Sequence, residues 1–196
     1  MFKLFDIYEV ESLTIKDPAL KPYITLTSRI LVKSYGRQTG KLSNSRVNII
    51  ERLANRLAVP GHVGKKHKII TSWSSGKYNK NMKTVLKALS TIQNKTNRNP
   101  LQVLIEAIEN GSPKDEITVI ESGGARYPQA VDVSPMRRIN LAVRWIVQGA
   151  YGKSFGKKNK IADTLANEII LASKGTMDSF SIVKKNEAEK QADAAR

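Results

Sequence analysis

The sequence predicts a mainly α protein, a helical bundle of about six helices with one protruding β-hairpin arm. Three observations predict it. Apolar residues recur at three- and four-residue spacing in five separate windows. Two helix starts carry a capping residue directly before proline, Asn99-Pro100 and Ser134-Pro135. The period changes clearly to two in one place, around Gly123-Gly124.

Taken in order, the first 34 residues form an amino-terminal extension, in which Ile24-Thr25-Leu26 and Ile30-Leu31-Val32 read as short strands or turns of an arm. Residues 35–196 form a single domain. Residues 34–46 have no apolar period and read as loop. Ser45 or Asn44 caps a helix that buries Val47, Ile50, Leu53, Ala54 and Leu57, and Pro60-Gly61 stops it. A polar connector, 61–80, leads to a helix from about Asn81 that buries Met82, Val85, Leu86, Leu89 and Ile92 and leaves Lys83 and Lys87 on the other side. The helix after Asn99-Pro100 buries Leu101, Leu104, Ile105 and Ile108 and ends at Gly111. The hairpin occupies about 115–134, with a Gly-rich tip from Ser122 to Pro128. The helix after Ser134-Pro135 buries Ile139, Ala142, Val143, Ile146 and Val147. A basic loop, 149–160, follows, then a helix marked by Ile161, Leu165 and Ile169, then a charged one from Val183.

The charge is uneven. The chain of 196 residues carries +16 overall, with 33 Lys+Arg against 17 Asp+Glu. Residues 29–98 hold sixteen basic groups and one acid, Glu51; residues 123–160 hold eight and one, Asp132. The remaining segments are near neutral or acidic. A surface kept soluble by charge mixes its signs, so the two blocks indicate a polyanionic partner. The absence of cysteine excludes disulfides, Cys-ligated zinc and a cysteine nucleophile. No run of about eighteen apolar residues exists, and Asp6 and Glu9 interrupt the apolar amino terminus, so neither a membrane span nor a signal peptide is expected. A soluble intracellular protein is expected.

No catalytic constellation converges. Gly152-Lys153-Ser154 resembles the end of a P-loop, but the spacing places Val147 where glycine is required, and the string leaves a helix rather than a strand. Gly36 to Gly40-Lys41 fails the same test, with Leu42 in place of the hydroxyl. His62 and His67 lie in a Lys-rich loop without a carboxylate to orient either ring, which suits nucleic-acid contact better than a metal. Glu106 and Glu109 read as a solvated helix face. Neither metal nor cofactor is expected. The basic residues are then candidate phosphate contacts: Lys33, Arg37, Lys41 and Arg46; Lys65, Lys66, His67 and Lys68; Lys77, Lys80 and Lys83; Arg137, Arg138 and Arg144; Lys153, Lys157, Lys158 and Lys160. Arg137 and Arg144 point the same way, within about 20° on the helical wheel. The chain places no closer acid to the three arginines than Asp132. Trp73, Tyr78 and Tyr127 stand among basic residues where rings can stack on unpaired bases, whereas Trp145 reads as core.

Residues 99–150 resemble small-subunit ribosomal protein seven. The motifs are Asn99-Pro100 with Ala107-Ile108-Glu109-Asn110, Gly123-Gly124, Tyr127-Pro128, Val131-Asp132-Val133, Ser134-Pro135-x-Arg137-Arg138 and Ala142-x-Arg144-Trp145-Ile146. Leu165-Ala166-x-Glu168 continues the match, and residues 47–57 resemble the early helix of the archaeal and eukaryotic branch. The resemblance covers roughly 35–196. It departs from the family in offering two Gly-Lys connectors, 64–68 and 76–80, as if about a dozen residues were inserted. The resemblance implies a helical bundle with a protruding hairpin. It also implies a structural, non-enzymatic constituent of the cytoplasmic ribosome that binds the 3′ major domain of small-subunit rRNA and nucleates assembly of the head. Its neighbours would be other head and platform proteins, and the hairpin tip, Gly123, Gly124, Ala125, Arg126 and Tyr127, would lie near exit-site tRNA and mRNA. Homo-oligomers are not implied.

On this reading, neutralising Lys65, Lys66, Arg137 or Arg138 weakens RNA binding and flattens its salt dependence. The alternative is a helix-turn-helix-like DNA-binding protein, which reads bases from one helix and is usually a dimer. Basic residues spread over loops and two distant segments suit a large RNA surface better. An RNA-processing enzyme ranks third, because the acid/base groups are missing.

Overall fold

The computed structural model describes residues 3–5, 7–26, 40, 43–61 and 74–196. Among them, six helices and one pair of strands follow in the order α1 Ile49–Arg56, α2 Tyr78–Thr96, α3 Pro100–Gly111, β1 Asp115–Ser122, β2 Ala125–Asp132, α4 Pro135–Ser154, α5 Ile161–Ser173 and α6 Phe180–Ala194. This is the predicted class, mainly helical with one hairpin. Single 3-10 turns at Lys21–Tyr23 and Ser43–Arg46 precede α1.

Local chemistry sets most boundaries. The α1 cap is Asn48, whose side-chain oxygen accepts the Ile50 N–H at 3.0 Å. Ser45 and Asn44, the residues proposed from sequence, belong to the 3-10 turn before it. Helix α2 starts at Tyr78, three residues before the expected Asn81, and closes on Asn97 in the left-handed conformation. Asn99 caps α3 as predicted, accepting the Leu101 N–H at 3.0 Å, with Pro100 in the first turn. Helix α4 extends to Ser154, so the expected basic loop contracts to 155–160; α6 begins at Phe180 rather than Val183.

Helix α5 is the hub, packed against α2, α3, α4 and α6. Its inner face (Leu165, Ala166, Ile169, Ala172) is fully buried, the alanines allowing close approach. Val85, Leu89 and Ile92 of α2, Leu104, Ile105 and Ile108 of α3, and Ile139, Ile146 and Val147 of α4 complete the core. Met82 and Leu86 are only half-buried.

The described part of the first 34 residues joins this core through Leu4, Tyr8, Leu20 and Ile24. Glu109 accepts the backbone N–H groups of Lys16 at 2.7 Å and Asp17 at 3.0 Å, and Arg98 bonds Glu106. The two glutamates expected on a solvated face are therefore structural acceptors. Thr25 makes a single parallel bridge to Asn48, while Ile30-Leu31-Val32 lie outside the described residues.

Strands β1 and β2 pair antiparallel, with Ser122 opposite Ala125 and Asp115 opposite Asp132. Gly123 and Gly124 alone make the turn, both with positive φ (59° and 80°), a backbone that two-residue hairpin loops require. The tip is thus shorter than read from sequence, and Ala125 to Pro128 are strand. Val119, Ile120 and Tyr127 are exposed, so the outer half projects from the bundle. Helix α6 and the residues just after it brace its base: Glu189 accepts the Lys114 N–H at 3.0 Å, and Arg196, past the helix end, pairs with Asp115 at 2.8 Å.

Candidate nucleic-acid interface

Two arginines four apart on one face of α1, Arg52 and Arg56, turn towards Asn140 and Arg144 of α4. Between them lies a cleft of about 310 Å³, lined also by Asn44, Asn55 and Val143 and, among the described residues, by no acid. Arg52 is buried; its guanidinium donates to the Tyr23 carbonyl at 3.0 Å and to Asn140 Oδ1 at 2.9 Å. Burial lowers its pKa to about 10, which leaves it charged at neutral pH.

Arg56 and Arg144 differ from Arg52. Nε and Nη2 of Arg56 and Nε of Arg144 are buried without a hydrogen-bond acceptor among the described residues. Burial, and then the neighbouring charge of Arg144, depress the pKa of Arg56. Buried donors normally find partners, and like charges this close are unfavourable. A cleft with converging cations, amide side chains and no counter-ion among the described residues suits an anion with several acceptor oxygens, such as a phosphate. Arg144 was singled out from sequence; Arg52 and Arg56 were not. Their signal was present in Val47–Leu57, where two arginines share a helix face opposite the apolar stripe.

The other predicted contacts fall into three groups. Exposed are Lys77, Lys80 and Lys83 around the α2 start and Lys157, Lys158 and Lys160 of the α4–α5 loop; Lys80, Lys83, Lys87 and Lys160 line one groove. Arg46 is also exposed, in the turn before α1. A second group is taken up by internal partners. Arg137 holds Glu116 through two bonds, at 2.5 and 2.7 Å, and this hydrogen bonding raises its pKa against the opposing effect of burial. Buried Arg138 donates to Asp17 at 2.8 Å and to the Pro113 carbonyl at 3.2 Å. Lys153 donates to the fully buried Glu168 at 2.7 Å. Sequence proximity misled here, because the acids lie 21, 121 and 15 residues away. The third group, Lys33, Arg37, Lys41, Lys65, Lys66, His67 and Lys68, lies outside the described residues, as do His62 and Trp73.

At the tip, Arg126 lies 3.8 Å from Glu121 across the strands, and Tyr127 is exposed. Tyr78 is half-buried, and burial followed by the charge of Glu51 pushes its phenol to about 12. That placement suits packing better than the base stacking expected of it. Trp145 is half-buried.

Three residues before the P-loop-like glycine, which itself faces open space, Gly149 serves packing. A Cβ on Gly149 would lie 2.7 Å from Phe180 Cβ and 3.0 Å from Glu168 Cδ, so glycine is what lets α4 meet α5 and α6. Glu168 also accepts the Ser179 hydroxyl at 2.8 Å and the Ser181 N–H at 3.3 Å. No helix is long and apolar enough to cross a membrane, and no group of potential metal ligands occurs among the described residues.

Fold and cleft together describe a helical bundle with a projecting arm and an arginine-lined cleft that suits an anion. A family model described as ribosomal protein S7p/S5e matches residues 24–196. Curated relatives, each named small ribosomal subunit protein uS7, include those of Nanoarchaeum equitans (44% identical, 99% of this chain and 98% of the relative), Methanococcus maripaludis (42%, 99% and 98%) and Thermoplasma volcanium (40%, 98% and 100%). The chain belongs to the ribosomal protein S7p/S5e family. These matches reach back past residue 35, further than the sequence motifs show.

Proposed function

We propose that this chain is a structural, non-enzymatic constituent of the small ribosomal subunit. It binds the 3′ major domain of small-subunit rRNA, nucleates folding of the head and works in the cytoplasm among other head and platform proteins. The observation that carries the reading is the Arg56–Arg144 cleft: paired cations without a counter-ion among the described residues, in a member of a ribosomal family. Phosphate contacts position such a protein over a folded RNA, and RNA shape supplies selectivity. The hairpin, exposed on both faces beyond its braced base, reaches from the bundle towards exit-site tRNA and mRNA. At the start of α4, Arg138 points inward and Arg137 is paired with Glu116, so neither is offered to base edges as the exposed start of a DNA-reading helix would be.

Chemical footprinting of full-length small-subunit rRNA with the purified chain tests this. Protections confined to helices of the 3′ major domain are expected. Protections elsewhere, or none, overturn the assignment.

A further inference from the structure

A second cavity, of about 350 Å³, lies where α4 ends beside the starts of α2 and α5. Leu57, Tyr151, Phe155 and Ile161 supply apolar walls, and Asn81 and Asn159 supply amides. Phe155 is 54% exposed although it is a large apolar residue. Its ring rests against Tyr151, with centroids 5.4 Å apart and planes tilted by 37°. Helix α4 ends just before Phe155, at Ser154, and Gly156, with φ of 70°, turns the chain immediately after it. Asn159 is exposed and makes no hydrogen bond with a described residue, so its amide is available to a ligand.

The cavity opens beside the groove of Lys80, Lys83, Lys87 and Lys160, and both are lined by Lys80, Thr84 and Ile161. No acid among the described residues lines either one. An aromatic face with an amide beside it suits a flat heterocycle, and four ammonium groups next to it suit phosphodiesters. A duplex cannot use such a cavity, because its bases are stacked inside.

We infer that the Phe155 cavity receives the base of an unpaired RNA nucleotide, whose flanking phosphates lie along the lysine groove. The inference deepens the ribosomal reading and rests on it for the identity of the nucleic acid.

The test titrates the full chain and its Phe155→Leu and Phe155→Trp variants with single-stranded oligouridine and with an RNA duplex of equal length. Phe155→Leu is expected to weaken oligouridine binding roughly five- to a hundredfold, the range of one lost base–aromatic stack. Phe155→Trp retains binding, and duplex affinity stays the same in both variants. If Phe155→Leu weakens neither RNA, or both equally, the inference is overturned. A chain that binds oligouridine through Phe155 yet leaves the 3′ major domain unprotected overturns the ribosomal reading instead and leaves the cavity standing.

Discussion

Arg56 and Arg144 stand across one cleft from each other, on α1 and α4, with buried guanidinium nitrogens that no described residue accepts. In the free protein this arrangement opposes folding, because two cations are held together and partly desolvated. An anion in the cleft reverses the sign. Binding and stability are therefore linked at this site.

Replacing either arginine by leucine relieves the repulsion. The thermal midpoint of Arg56→Leu or Arg144→Leu should equal or exceed that of the wild type in chloride. Added sulfate or phosphate should raise the wild-type midpoint more than that of either variant. Calorimetry checks both, and a loss above about 1 kcal/mol in chloride contradicts the idea.

Arg138 should behave in the opposite way. Its guanidinium joins α4 to Asp17 and Pro113, so Arg138→Gln should cost about 2–4 kcal/mol, because it leaves a buried bonding site unfilled. Burial alone would raise the pKa of Asp17, but the hydrogen bond from Arg138, with those from the Ala19 and Leu20 backbone and the charge of Arg138, holds it below the ordinary value. The stabilisation is fully present above the unfolded-state pKa of Asp17 and is lost as pH falls through the lower folded value. Arg138→Gln should flatten that acid limb, as read from urea midpoints at a series of pH values.

Gly149→Ala should destabilise the bundle by about 1–3 kcal/mol, because the added methyl meets Phe180 and Glu168 at close range. Lys153→Met should cost a similar amount, about 2–4 kcal/mol, by leaving the Glu168 carboxylate without its cation. Urea unfolding checks both. A Lys153 variant of normal stability but weakened RNA binding would return that lysine to the interface.

The hairpin tip should be separable from the bundle. Arg126→Ala with Tyr127→Ala should move stability by less than about 0.5 kcal/mol, since neither side chain packs on the core. Gly124→Val should loosen the turn, because its φ of 80° strains a β-branched residue. Amide exchange along β1 and β2 reads the difference.

Much of this molecule was legible in the sequence, for reasons particular residues show. The apolar spacing from Leu101 to Ile108 and the Asn99-Pro100 start defined α3. The alternation around Gly123-Gly124 defined the hairpin. These signals are local, carried within one or two turns. What was not legible depends on distant partners. Nothing near Arg138 announces Asp17, and Gly149 needs glycine only because Phe180 returns beside it. The candidate site was half legible: Arg144 stood out, but Arg56 gains meaning only once α1 packs against α4.

Salt-titrated binding to the 3′ domain of small-subunit rRNA, measured beside a duplex DNA of equal length, decides most. The wild-type chain should bind the RNA tightly and selectively, with a steep salt dependence. Arg56→Leu with Arg144→Leu should weaken that binding and reduce the slope by about two. Equal affinity for RNA and DNA, or a double variant with wild-type affinity and slope, would contradict the cleft as the seat of RNA binding.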